Sequence, residues 1–154
     1  MNANEKIGEL KIMLPEAPQP GGLYTPVVEF GGNLAYASGC VPAELPGVRA
    51  KGRLGEDMSV EEGQSAARAA ALNLLAVLKR DLKDLNRIAR IVKLTCFVNC
   101  APDFTMQPQV ANGASQLLID VFGEPGRAAR SAVGASGLPG GVAFEIEALV
   151  ELKD

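Results

Sequence analysis

Apolar residues recur along this chain at two spacings, and the spacings mark its elements. Ala67, Ala70, Ala71, Leu74, Leu75, Leu78 and Leu82 fall three or four residues apart, the stripe of an amphipathic helix. Ser59-Val60-Glu61-Glu62 ahead of them is a capping box, so the helix starts there and runs to about Leu82. Its alanines favour helix and let it approach a sheet closely. A second helix is predicted from near Pro108, with Val110, Leu117, Leu118 and Val121 on its apolar side. Gly123 suits its end, and Asn112 and Gly113 interrupt it.

Alternation marks the strands. From Ile91 to Cys100, Val92, Leu94, Cys96, Val98 and Cys100 share one face, with Lys93, Thr95 and Asn99 on the other. Near the C-terminus two strands, Arg130 to Ala135 and Val142 to Leu152, are joined by a Gly/Pro turn. In the latter, Val142, Phe144, Ile146, Ala148 and Val150 face one way and Ala143, Glu145, Glu147, Leu149 and Glu151 the other. Val27 to Phe30 and Leu34 to Ser38, flanking Gly31-Gly32-Asn33, read as a hairpin. Val48 to Leu54 is a weak, polar third strand. Residues 2–12 have helical character through Ile7, Leu10 and Met13, and Pro15 to Gly22 form an extended connector.

This order predicts an α+β fold, a single mixed sheet with two helices packed on one face. The head, residues 1–20, is expected to be a helix packed onto the sheet for stability, followed by one domain over 21–154. The other sheet face mixes Lys93, Thr95, Glu145 and Glu147 with apolar positions, a pattern suited to meeting another subunit.

Composition narrows the chemistry. The 154 residues contain no histidine, which removes the commonest general base and metal ligand. No cysteine cluster has zinc spacing, so no metal and no Ser-His hydrolase is expected. Cys96 and Cys100 would lie roughly 13 Å apart on one strand, too far to bridge, and are expected to be buried and reduced. A net charge of −3 without a basic run carries no nucleic-acid footprint. No apolar stretch approaches a bilayer span, and Met1 to Lys6 lack a signal pattern, so a cytoplasmic protein is expected.

The candidate chemistry lies late in the chain. Arg130 offers a permanently charged fork for a carboxylate or phosphate, and a nearby glutamate can handle a proton or hold a water. Tyr24 precedes the first strand, and Gly39, between Ser38 and Cys40, permits close backbone approach to a ligand. Without a histidine to activate it, Cys40 is a poor nucleophile. Arg127 is expected to pair with Glu124.

Ala129-Arg130-Ser131-Ala132-Val133, Leu138-Pro139 and Phe144-Glu145-Ile146-Glu147-Ala148 together resemble the closing signature of the Rid family. These are YjgF-type reactive-intermediate deaminases, also labelled endoribonuclease L-PSP. Tyr24, Ala37-Ser38-Gly39 and the helix containing Asn73 fit the same family in the same order. The resemblance implies a chorismate-mutase-like trimer with sites at subunit clefts and no cofactor. It implies hydrolysis of small 2-imino or enamine acids to 2-keto acids and ammonia, Arg130 holding the carboxylate and Glu145 positioning water. Tyr24, Ser38, Gly39, Cys40, Ala132 and Val133 would complete substrate binding. This chain carries Ala128 and Ala132 where well-characterised deaminases commonly have proline and cysteine, and Cys40 where the family usually has glutamine. Two other functions stay open, a non-catalytic metabolite-binding trimer and an endoribonuclease; acidity and few aromatics speak against the latter.

Overall fold

A computed structural model describes the whole chain, Met1 to Asp154. Its sheet has five strands, β1 (Val27–Phe30), β2 (Leu34–Cys40), β3 (Ile88–Asn99), β4 (Ala129–Ala135) and β5 (Phe144–Leu152). They lie in the order β1-β2-β5-β3-β4. All neighbours are antiparallel except β3 and β4. Three α-helices accompany them, α1 (Ala3–Glu9), α2 (Val60–Leu82) and α3 (Gln107–Phe122). The expected architecture is therefore present, with α2 and α3 over one sheet face. No helix is long and apolar enough to cross a membrane.

Helix α2 starts where the capping box placed it. Ser59 accepts from the Glu62 amide, and the Glu62 carboxylate accepts from the Ser59 amide. Its stripe is wholly buried, and Ala66, Ala69, Leu72, Asn73, Ala76 and Val77 are buried as well. The helix is enclosed on more than one side because α3 lies alongside it. Gly113, which read as an interruption, marks that crossing: a Cβ there would stand 2.1 Å from the Gln64 carbonyl oxygen. The backbones approach closely enough that only hydrogen fits between them.

The strands β4 and β5 are consecutive but do not pair, because β3 lies between them. β3, α3 and β4 form a crossover unit that lays β4 parallel to β3, and the 136–143 turn carries the chain past β3 to its other edge. β3 also corrects one expectation. It carries an extra residue relative to β5 between Ile91 and Lys93, so Ile91 enters the core and Val92 is only half-buried. The bulge resets the alternation, and Leu94, Cys96 and Val98 regain the predicted face.

Three further expectations are corrected. Residues 48–54 form no strand; only isolated bridges from Lys51 to Val142 and from Leu54 to Met58 and Cys100 occur. Gly47, Gly52 and Gly55 take φ of 75°, 148° and 83°, which breaks an extended ladder. The segment is held by side chains instead. Arg49 pairs with Asp57, and Arg53 pairs with Glu56 and donates to the Cys100 and Ser136 carbonyls. Helix α1 stops at Glu9, leaving Met13 exposed, and packs on α3 and the turn 85–87 rather than on the sheet. Ala143, assigned to the open face, is fully buried because β5 begins only at Phe144.

Candidate functional site

Glu145 lies on the face of the sheet away from α2 and α3. Its neighbours along β5, Phe144 and Ile146, are buried in the core, and strict alternation turns Glu145 outward. Across from it β2 is bulged, with three steps from Ala37 to Cys40 facing two from Ala148 to Ile146. The extra residue falls at Ser38-Gly39, and it presses that backbone against the carboxylate. A Cβ on Gly39 would stand 2.5 Å from Glu145 Oε1. Burial, and then the neighbouring charge of Glu147, raise the Glu145 pKa above its ordinary value.

A cleft of about 670 Å³ opens over this point. Tyr24, Ser38, Gly39, Cys40 and Glu145 line it together, so five of the predicted residues meet there. Tyr24 Oη accepts from the Gly21 amide, and Ser38 Oγ donates to the Thr25 carbonyl. The Cys40 thiol is pushed up to about 12 by burial and then by Glu145, with Arg80 opposing, which makes it a thiol and not a nucleophile. Cys96 and Cys100 are buried and free, as expected.

Two cleft walls were not anticipated. The connector supplies one through Pro18, Gln19, Pro20 and Gly21, and Arg80 secures it by donating to the Pro18 carbonyl at 2.9 Å while paired with Asp81. Lys51 supplies part of another and is the one basic side chain on the lining. In the sequence it is one of three basic residues in a weak, polar stretch, with nothing to mark it as a site residue. Only the bridge to Val142 brings it to the cleft.

Arg130 is elsewhere. In the register Leu94 opposes Arg130, and Phe97 opposes both Val133 and Glu145. Paired positions share a face, so Arg130 projects to the helix side at the β4 edge and Glu145 to the open side. The guanidinium donates to Asn112 Oδ1 at 2.9 Å, Ser115 Oγ at 3.0 Å and the Pro108 carbonyl at 3.3 Å, all on or beside α3. Of an arginine's five donors, these three bonds leave two free. Asn112 and Ser115, spaced i, i+3 on the polar side of α3, are thus partners of Arg130; that spacing was the available signal. Ala132 follows Arg130 onto the helix side, whereas Val133 is exposed on the open side. Arg127 pairs with Glu124 at 3.3 Å, as expected. One protomer therefore does not bring Arg130, Ala132 or Val133 to the cleft that holds Glu145.

The open face carries exposed apolar side chains at Val28, Phe30, Tyr36 and Val133. Between them lie polar residues, with Tyr36 Oη donating to Glu147 at 3.2 Å and Lys93 Nζ to Ser131 Oγ at 2.8 Å.

Comparison with known proteins places the chain among relatives. Residues 6–143 match the family described as "YjgF/chorismate_mutase-like, putative endoribonuclease". Protein TCP17 of Trypanosoma cruzi is 48% identical over 146 residues, 94% of this chain and 91% of that protein. Among solved structures, the protein Atu1372 of unknown function from Agrobacterium tumefaciens is 41% identical, with a TM-score of 0.87 over 98% of this chain and 92% of the other. A Shewanella oneidensis MR-1 protein described as a putative endoribonuclease is 30% identical, with a TM-score of 0.90 over 99% and 100%.

Proposed function

The chain belongs to the YjgF/chorismate mutase-like family, and from that premise we propose that it is a Rid-type, cofactor-free deaminase. It hydrolyses small 2-imino or enamine acids to 2-keto acids and ammonia. Its clefts are completed in a homotrimer, with Arg130 of one subunit entering the cleft that holds Glu145 of the next. The observation that carries the reading is the opposed placement of these two side chains. Arg130 sits at the β4 edge, oriented by three bonds with two donors to spare, while Glu145 waits in a cleft whose lining has no arginine.

The reaction asks little of such a site. A protonated imine carbon is already electrophilic, so orientation supplies most of the acceleration. Arg130 takes the carboxylate through its free donors. Glu145, ionised, accepts a proton from water as the oxygen bonds to C2. Glu145 then passes that proton to nitrogen. As the C–N bond breaks with its electron pair leaving on nitrogen, the hydroxyl oxygen forms C2=O and releases its proton to Glu145, which hands it to the departing ammonia to give keto acid and ammonium. The raised Glu145 pKa makes it a better base than a solvated carboxylate.

The test generates 2-iminopropanoate or 2-iminobutanoate in situ and follows its decay. Wild type should accelerate decay, and Arg130→Ala and Glu145→Gln should each lower kcat/KM by about 100-fold or more. Equal decay in all samples would leave a metabolite-binding trimer as the better reading. RNA cleavage that survives purification and disappears with Arg130→Ala would restore the ribonuclease reading.

A further inference from the structure

The cleft over Glu145 is lined by one acidic and one basic residue, Glu145 and Lys51, and only the first has a role in the reaction. Lys51 is built into position. Its strand-like bridge to Val142 is flanked by two backbone hydrogen bonds, Ala143 N–H to Ala50 C=O at 2.9 Å and Gly52 N–H to Gly141 C=O at 3.2 Å. Arg49 Nε donates to the Lys51 carbonyl at 3.0 Å. The lysine is thus fixed at its backbone to residues 141–143, which lead into the strand that carries Glu145. The basic residues around it are neutralised, Arg49 by Asp57 and Glu62, Arg53 by Glu56 and Arg80 by Asp81. Lys51 makes no ion pair, with Glu145 or with any other carboxylate, and it is an exposed residue on the cleft lining.

Spacing shows what that free charge can reach. Lys51 is opposite Val142, and Glu145 is three residues further along, about 10 Å at strand rise. Both residues line the cleft, and that spacing suits a ligand with a chain of a few carbons between its two ends. The cleft volume of about 670 Å³ is also far more than a three-carbon acid occupies, even with an arginine entering from a neighbour. A three-carbon imino acid, held by its own carboxylate on Arg130, would leave Lys51 without a partner.

We propose that Lys51 is a specificity-determining residue that binds a second carboxylate, and that the preferred ligands are 2-imino dicarboxylates of four or five carbons and their 2-keto products. The inference rests on the deaminase reading of this cleft and names its substrate class. Arg130 takes the carboxylate next to the imine, Glu145 serves C2, and Lys51 takes the carboxylate at the far end of the side chain. A single ammonium matches the single negative charge of a carboxylate. The sites of attack and of discrimination are separate, so Lys51 acts on affinity and selectivity more than on the chemical step.

The experiment measures product binding and turnover. Calorimetry compares 2-oxoglutarate with 2-oxobutanoate on wild type, Lys51→Ala and Lys51→Arg, at low and high salt. Wild type should bind 2-oxoglutarate about tenfold more tightly. Lys51→Ala should abolish that preference, Lys51→Arg should restore most of it, and added salt should shrink it because the pair is partly solvated. In the coupled assay the kcat/KM ratio of 2-iminoglutarate to 2-iminobutanoate should fall by a similar factor in Lys51→Ala, through KM. Failure of 2-oxoglutarate to bind at millimolar concentration, or a preference unchanged in Lys51→Ala, overturns the proposal. A Lys51-dependent diacid preference without imine hydrolysis would overturn the deaminase reading alone. Hydrolysis indifferent to Lys51 would overturn the specificity alone.

Discussion

At Gly39 the backbone and the Glu145 carboxylate leave no room for a methyl group, since a Cβ would meet Oε1 at 2.5 Å and Cδ at 3.0 Å. The obstructed atoms are the mobile end of a side chain, so Gly39→Ala should fold and displace the carboxylate. We expect turnover to fall by at least tenfold with a Tm change of only a few degrees, read by the imine assay beside a thermal melt. The ionisation of Glu145 gives a second handle. Burial and Glu147 raise its pKa in the folded protein, so the unfolded chain releases this proton at lower pH than the folded one. The associated stability is fully present below the ordinary glutamate value and is lost as pH rises through the folded pKa. Glu145→Gln carries no such loss. Its Tm should exceed wild type at pH 7–8, by an amount on the order of 1–2 °C because solvent screens a half-open carboxylate. The gap should close towards pH 4. Wild-type turnover should fall on acidification through the same raised pKa, since a protonated Glu145 cannot take a proton from water. Residue chemistry was the part read most directly from sequence: Arg130, Glu145, Gly39 and Tyr24 were candidates by type and motif. Lys51 was not, because one lysine among the three basic residues of a weak, polar stretch looks like any solvated charge.

At the scale of elements, hydrophobic period located both long helices and all five strands. It did so because each buries a face against one layer. It failed where something other than period decides. The bulges in β3 and β2 change which residues face the core and bring Gly39 to Glu145, and a bulge leaves no mark in composition. Residues 48–54 are held by Arg49 and Arg53 to carboxylates and carbonyls, not by a ladder. Gly113 is the clearest case of a misread signal. It weakens α3 as a helix former, yet it is what lets α3 lie against the Gln64 backbone of α2. Gly113→Ala gains helix propensity and meets a carbonyl 2.1 Å away, and a backbone obstacle cannot swing aside. We expect a net loss of about 1–3 kcal/mol, seen as a lower denaturant midpoint at unchanged slope. A neutral or stabilising substitution would show that the helices can separate freely.

At the scale of the whole molecule, the opposed faces of Arg130 and Glu145 turn a question of chemistry into one of assembly. The open face exposes Val28, Phe30, Tyr36 and Val133 around polar groups, which suits a subunit interface. Sedimentation should give a particle of three times the 16.1 kDa chain mass. Mixed assemblies test the sharing of sites. Inactive Arg130→Ala and Glu145→Gln subunits, unfolded and reassembled together in equal amounts, should recover about a quarter of wild-type turnover. A site is whole when its glutamate comes from one variant and its arginine from the other. No recovery would place both residues in the service of one protomer.

By itself the sequence determined the layer architecture, the helix starts and which residue types were candidates for the chemistry. Periodicity, capping and side-chain chemistry are local properties, written in neighbouring residues. Tertiary structure alone decided that β3 separates β4 from β5, that Arg130 and Glu145 diverge, and that the connector and Lys51 wall the cleft. Those outcomes depend on which edges of β3 were filled, on single-residue bulges and on a bridge between residues 51 and 142. Each is a pairing between distant parts of the chain, whose free energy appears only when both partners are in place.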